Sequence, residues 1–248
     1  TMPFKRRLLA LFSERSMDIR RFLVIFAGAV MGLGLILSAS RGGIIAMAGA
    51  LLLMGLFFYF RKNERRKGRI ILILFGIALI FSVYAGVEYT VARFDAFDRD
   101  LETRWVRAER TIDLFRDNPY AGVGIGNFRY AYGKYQHPRD VNLYVDYAHN
   151  DYAQFLAEAG IAGVILLIAG MGWYVVRIFR RWLEQVDSVA VCLGIAPFGA
   201  LAALAIHSFT DYNLHRPANV LVLITVIAIG YAALNLENHH SRSRTNHG

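Results

Sequence analysis

Long apolar runs separated by short charged segments most limit what this chain can fold into. Apolar residues make up 56% of the 248-residue chain and are concentrated in these runs. Each run is close to the roughly 20 residues that a helix needs to cross a bilayer. The runs lie at residues 22–37, 44–60, 70–87, 161–179, 189–206 and 220–236. We therefore predict an all-α membrane protein with about six transmembrane helices.

The placement of basic residues predicts the orientation of these helices. The segments "KRRLLALFSERSMDIRR", "RKNERRKGR" and "RIFRRW" all lie on one side if both termini are cytoplasmic. The net charge of +9 thus comes largely from short loops beside apolar runs, which argues against a nucleic-acid partner. We expect no cleavable signal peptide, because no clear cleavage site follows the first run.

These patterns divide the chain into four parts. Residues 1–87 are predicted to hold a cytoplasmic N-terminal segment and three spans. Residues 88–148 form a long outer, periplasmic loop, and residues 149–236 hold an outer helix and the last three spans. Residues 237–248 are a cytoplasmic polar tail. The single cysteine, Cys192, excludes an intrachain disulfide and a CxxC metal pair.

The long loop is predicted to contain a helix of its own. Trp105, Ala108, Ile112 and Phe115 follow one another at helical spacing. Pro119 is expected to end that helix, because the residue before a proline disfavours helical geometry. The stretch "GVGIGNF" then forms a turn. It lacks GxGxxG spacing and a surrounding βαβ unit, so a nucleotide-binding loop is not predicted, and a backbone anion nest is only weakly indicated.

Arginines provide the first candidate site residues. Arg41 lies in the tight turn "SASRGG" between two spans, where a charge is costly unless it pairs or faces a wet cavity. Either it extends to the membrane interface, or it binds a phosphate beside the open backbone of Gly42 and Gly43. Arg104 and Arg107 share one face of the loop helix. That face is either solvated and ion-paired or binds an anion.

A polar stripe opens the fourth span. His149 precedes the run at a predicted helix start, where the helix dipole favours a neutral imidazole that can accept a proton. Asn150, Gln154 and Glu158 follow at spacings of four, with Asp151 beside them. The alternative is an interfacial helix that turns its polar side to water.

A second polar cluster, "HSFTDYNLHRPAN", lies between the last two spans and contains Asp211 and His215. No tight ligand spacing supports a metal site there, and polar capping of the helix ends is the simpler interpretation.

Four motifs in this order resemble the O-antigen ligase and Wzy-type polymerase family: "LSASRGG", "RDNPYAGVGIGNF", "HNDYAQFLAEAGIAG" and "HSFTDYNLHRPAN". The resemblance extends from the first span to the last. It implies a metal-independent, inverting glycosyltransferase, without cofactor, at the outer face of the bacterial inner membrane. The implied donor is a glycan on undecaprenyl pyrophosphate. The implied acceptor is a glycan, lipid A core or a protein.

The resemblance also implies roles for single residues. Arg41, Arg104 and His149 match the family's important basic positions, with Arg107 as the alternative loop arginine. We predict catalytic roles for Arg41, Arg104 and His149. We assign substrate binding to a further group: Arg107, Asn150, Asp151, Asp211 and His215. Two other classes stay open. A transporter or channel would use these groups to line a permeation route, and a non-catalytic scaffold would not need them.

Overall fold

The computed structural model describes residues 19–38, 40–138 and 144–245. These residues are almost entirely helical and contain no strand, which confirms the all-α prediction. The helices are α1 (Ile19–Leu37), α2 (Arg41–Phe60), α3 (Arg65–Asp117), α4 (Phe128–Ala131), α5 (Asp151–Glu184), α6 (Ser188–His207) and α7 (Pro217–Thr245). Short 3₁₀ turns occupy Lys62–Glu64, Tyr132–Tyr135 and Asn213–His215.

Four helices in the described part of the chain are long and apolar enough to cross a membrane. They are Arg41–Phe60, Asp151–Glu184, Ser188–His207 and Pro217–Asn235, and each coincides with a predicted span. Helix α1 carries a shorter apolar stretch, Phe22–Leu35. The predicted span 70–87 runs onto side chains that lie outside the described residues. The count of six spans, their orientation and the polar tail therefore stay predictions.

Helix α3 is a single helix of 53 residues. At 1.5 Å per residue its length is about 80 Å. The predicted third span and the predicted loop helix are therefore one continuous backbone helix, which passes through the expected boundary at residue 87 without a break. The helix ends at Asp117, two residues before Pro119, which confirms the predicted end. The outer position of its last turns stays a prediction.

Two buried clusters hold the helices together at opposite ends. One cluster joins α2, α5, α6 and α7 and comprises Phe58, Ile178, Trp182, Val191, Ile195, Phe198 and Leu234. The guanidinium of Arg61 closes this end, because it donates to the carbonyls of Trp182 and Gln185 and lies over the Trp182 ring. The second cluster joins α3, the segment after it and the start of α5. It comprises Leu114, Phe128, Tyr132, Val145, Ala148 and Ala157.

Helix α5 is broken at Gly160, whose φ of +63° is outside the helical range. The break frees backbone groups on both sides, and the turn after α3 uses them. The hydrogen bonds run from Val123 N to Ala157 O (3.0 Å), Gly124 N to Glu158 O (2.9 Å), Ile161 N to Pro119 O (2.9 Å) and Ala162 N to Tyr120 O (3.1 Å). The turn therefore supplies the backbone partners that a broken helix would otherwise lack.

Two glycines make this contact possible. Gly122 and Gly160 both have positive φ, and a Cβ on either would collide with the backbone of the opposite segment. The stretch "GVGIGNF" is a turn, as predicted, and its backbone docks onto the break in α5. This contact fixes the first half of α5, residues 151–159, relative to α3.

Candidate functional site

The segment after α6, residues 208–216, is the meeting point of the predicted site residues. Arg104 of α3 donates from Nη1 to the carbonyl of Thr210, at 2.6 Å. The backbone amide of Asp151, at the start of α5, donates to Ser208 O at 3.0 Å. The side chain of Asn150 donates to Phe209 O at 3.2 Å. These contacts gather α3 and α5 around the turn that follows α6.

Arg41 is the first residue of α2, beside the same turn. Ser40 caps the helix by accepting from Gly43 N at 3.1 Å. A Cβ at Gly42 would meet the side chains of Thr210 and His207. The neighbour of this turn is therefore the end of α6. Arg41 is half-buried at this contact.

His149 lies just before α5, as predicted, in an uncommon backbone conformation. Its φ is +55°, in the left-handed region that few non-glycine residues adopt and that is often found at functional sites. Its neighbours are held on both sides. Ala148 N donates to the Gln154 side chain at 3.0 Å, and Asn150 caps α5 by accepting from Ala153 N at 3.0 Å. The surrounding hydrogen bonds therefore hold His149 at the start of a helix that is long enough to cross a membrane.

The His149 ring pairs with Asp211. The distance from Nδ1 of His149 to Oδ1 of Asp211 is 3.5 Å, which is beyond the usual length of a hydrogen bond. Catalytic hydrogen bonds are often this long before substrate binds. The ring also meets Tyr212 edge to face, with centroids 4.9 Å apart.

The carboxyl of Asp211 is held in its charged form. Its pKa is lowered to about 2, chiefly by its interaction with the nearby His149 imidazole. Burial opposes this effect, whereas the Tyr212 amide and the charge of Arg104 add to it. Asp211 thus provides a fixed negative charge beside the imidazole.

A second histidine lies between two buried carboxylates. The Nδ1 of His215 donates to Oδ1 of Asp151 at 2.7 Å, and its Nε2 lies 3.6 Å from Oε2 of Glu158. Burial alone would lower the pKa of His215, but hydrogen bonds to Asp151 and then Glu158 raise it to about 9. The imidazole is therefore a cation at neutral pH. Asp151 also accepts from Ser208 Oγ and Leu214 N, at 2.8 and 2.9 Å.

The polar stripe of α5 faces the protein interior. Asp151, Gln154 and Glu158 are 2%, 1% and 1% exposed. The alternative in which this stripe is turned to water is therefore wrong for these three residues. Their hydrogen bonds are made within the protein. Glu158 accepts from Phe128 N and from the Gln154 side chain, and Asp151 accepts from Leu214 N, so the start of α4 and the segment 208–216 are held onto α5. Substrate binding by Asp151 and His215 stays a prediction.

The arginines of α3 differ in their surroundings. Arg104 contacts the 208–216 segment, whereas Arg110 pairs with Asp113 on its own helix at 3.3 Å. Arg110 therefore fits the ion-paired interpretation, which for Arg104 and Arg107 stays open. Arg107 lies between them and is half-buried. The choice between Arg104 and Arg107 as the predicted catalytic arginine stays open, although the contact to Thr210 and the charge interaction with Asp211 favour Arg104.

An apolar groove of about 560 Å³ lies between α3 and the start of α5. Helix α3 contributes Trp105, Val106, Ala108, Glu109 and Ile112, and the α5 side contributes Asn150, Tyr152, Ala153 and Leu156. The groove thus reaches the residue that follows His149. Its lining suits an apolar ligand.

Several residues of this arrangement were not singled out from the sequence. Thr210 and Ser208 contact Arg104 and Asp151 through a backbone carbonyl and a hydroxyl, which no spacing rule identifies. Tyr147 and Tyr212 stack face to face with centroids 4.3 Å apart. The only sequence signal for this stacking was the high content of aromatic residues in both segments. No group of three or more His, Cys, Asp or Glu in the described residues is arranged to hold a metal ion.

Comparison with known proteins identifies the family. No curated protein and no solved structure matches the chain. The sequence profile described as O-antigen ligase matches residues 26–168, more than half of the chain. That match includes the "SRG" turn, the contact between the glycine turn and α5, and His149. With helices suited to a membrane and a polar site at their ends, the chain belongs to the O-antigen ligase family.

Proposed function

We propose that this chain transfers a glycan from undecaprenyl pyrophosphate to an acceptor, with inversion, at the outer face of the bacterial inner membrane. The acceptor is a hydroxyl or amine of a glycan, lipid A core or a protein. Family membership supports glycosyl transfer of the ligase or polymerase type in a multi-pass membrane protein. The observation that carries the proposal is the His149–Asp211 pair beside Arg104 at the start of a membrane-crossing helix.

His149 acts as the base in this proposal. With Nδ1 towards Asp211, the imidazole keeps Nε2 for the proton of the acceptor. The ionised carboxylate of Asp211 orients the ring and stabilises the imidazolium that forms. A positioned base of this kind accelerates a reaction about 10²–10⁴-fold.

The arginines act on the leaving group. As the acceptor oxygen or nitrogen bonds to the reacting sugar carbon, the bond from that carbon to the pyrophosphate oxygen breaks. The electron pair leaves with undecaprenyl pyrophosphate, and the proton moves to His149. Arg41 and Arg104 offset the charge that develops, because a guanidinium donates in pairs to phosphate oxygens. The pyrophosphate is already an activated leaving group, so the proposal includes no nucleotide, cofactor or metal ion.

The remaining predicted residues support this reaction. The apolar groove that reaches Asn150 suits the lipid part of one substrate. Arg107 lies one helical turn after Arg104 on α3, where it extends the basic face that a pyrophosphate would meet. Asn150, Asp151 and His215 hold the segments that carry His149 and Asp211.

The test is glycan transfer by the purified chain in lipid vesicles. The substrates are a lipid-pyrophosphate-linked glycan and an extracted acceptor, and product is measured on gels. We expect His149→Ala and Arg41→Ala each to reduce transfer at least a hundredfold at matched folded protein. Arg110→Gln serves as the control, since Arg110 pairs with Asp113 away from the site. Unchanged transfer in both site variants would remove these residues from the mechanism and favour a scaffold. If the wild-type protein moved glycan across the vesicle membrane but transferred none to the acceptor, a transporter would be favoured.

A further inference from the structure

A group of arginines lies at the opposite end of the helices from the candidate site. Arg177, Arg180 and Arg181 occupy the last turns of α5, where the helix ends at Glu184. Residues 61–69, which include the first turn of α3, are at the same end, because Arg61 donates to the carbonyls of Trp182 and Gln185. In the described part of the chain, no carboxylate pairs with any of these three arginines. Within the described residues, the charges of these three arginines are therefore not neutralised by an ion pair.

Arg181 is the most unusual member of this group. Its Nη1 is shielded from solvent and has no hydrogen-bond partner among the described residues. The guanidinium lies over the ring of Tyr231 on α7, 5.7 Å from the ring centroid. A shielded guanidinium donor without an acceptor costs folding free energy, because it has lost its hydrogen bonds to water. One explanation for such a group is that it binds an anion.

Arg177 lies one turn before Arg181 on the same face of α5. Its guanidinium is over the ring of Trp173, at 5.4 Å from the centroid. Aromatic contacts of this kind hold a guanidinium without using its hydrogen-bond donors. Both guanidinium groups therefore keep donors that no described residue accepts from.

The surface next to these arginines is apolar. Trp173 and Val176, on the same part of α5, are 66% and 50% exposed. A ligand at Arg177 and Arg181 therefore has a cationic surface on one side and a membrane-facing apolar surface on the other. A phospholipid has this division between headgroup and acyl chains, whereas a free anion has no apolar part.

We propose that Arg177, Arg180 and Arg181 form a binding site for the phosphodiester headgroup of an anionic phospholipid. The guanidinium groups bind the phosphate oxygens, and the acyl chains lie along Trp173 and Val176. Basic pockets between transmembrane helices are suited to such headgroups. The site is independent of the proposed glycosyl transfer, because it lies at the other end of α5.

The experiment measures lipid binding by the full chain in mild detergent, using native mass spectrometry. The added probes are phosphatidylglycerol, phosphatidylcholine and inorganic phosphate. We expect the triple variant R177Q/R180Q/R181Q to weaken phosphatidylglycerol binding at least tenfold. The control K62Q/R66Q/R69Q removes the same charge from exposed positions at the same end, and we expect at most a twofold change.

A further variant keeps the charge of the site intact. Arg181→Lys retains the charge but loses the paired donors, so we expect it to weaken binding about fivefold. It also keeps the proposal testable if the triple variant fails to fold. Equal losses in the two triple variants, equal binding of phosphatidylcholine, or displacement by inorganic phosphate would each overturn the proposal.

Discussion

His149 and Asp211 face each other across the junction of α5 with the segment after α6, with Nδ1 of the imidazole 3.5 Å from a carboxylate oxygen. Hydrogen bonds hold the two segments in place. Asp151 N donates to Ser208 O, and the Asn150 side chain donates to Phe209 O. The geometry of the pair therefore depends on the docking of two distant parts of the chain.

Replacement of Asp211 by Asn is expected to reduce glycan transfer at least tenfold. The amide has the same size but lacks the negative charge that would stabilise the His149 imidazolium. The measurement is the initial rate of transfer in vesicles, across a range of pH. Asp146→Asn is the control, because Asp146 is exposed. A rate equal to that of the wild type at every pH would remove Asp211 from the reaction.

Replacement of His215 by Gln is expected to destabilise the protein by about 3–5 kcal/mol. Removal of one member of a buried ion pair leaves an uncompensated charge, and here Asp151 and Glu158 would both lose their cation. The measurement is unfolding by denaturant in detergent micelles. Lys134→Gln, at an exposed position, should change the free energy of unfolding by less than about 0.5 kcal/mol. An equally small change for His215→Gln would show that the ion pairs contribute little.

The stability of the wild type is expected to fall as pH rises above neutral. The folded-state pKa of His215 is about 9, above the unfolded value of 6.5. A raised pKa contributes stability that is fully present below pH 6.5 and is lost as pH rises through about 9. Thermal unfolding between pH 6 and 10 measures this effect. The loss between pH 6.5 and 9 should be smaller in His215→Gln, and an identical slope would contradict the assignment.

Replacement of Gly160 by Ala is expected to destabilise the protein far more than replacement of Gly170 by Ala. At Gly160 a Cβ would collide with the backbone around Tyr120 and would also meet an unfavourable positive φ. At Gly170 nothing lies within 4 Å of the added atom. Thermal unfolding in detergent compares the two variants. Similar midpoints would mean that the glycine turn and α5 are not closely docked.

The sequence predicted elements whose signal is local. Apolar runs of membrane length identified four helices that the described residues confirm, and Pro119 marked the end of α3 within two residues. His149 was placed at a helix start because it directly precedes the polar stripe and the long apolar run of the fourth span, and in the structure Asn150 caps that helix. The continuity of α3 through residue 87 could not be predicted, since a change from apolar to charged composition does not by itself end a helix.

The partners of the polar residues were decided only by tertiary structure. The spacing of Asp151, Gln154 and Glu158 placed them on one face of α5, but the same spacing fits a face in water and a face in the interior. Burial against residues 208–216 and the glycine turn determined that they face inwards. The prediction of a helical membrane protein depends on the hydrophobicity of the chain and on the spacing of its apolar residues, which are local properties. The pairings of His149 with Asp211 and of His215 with Asp151 depend on how distant segments pack.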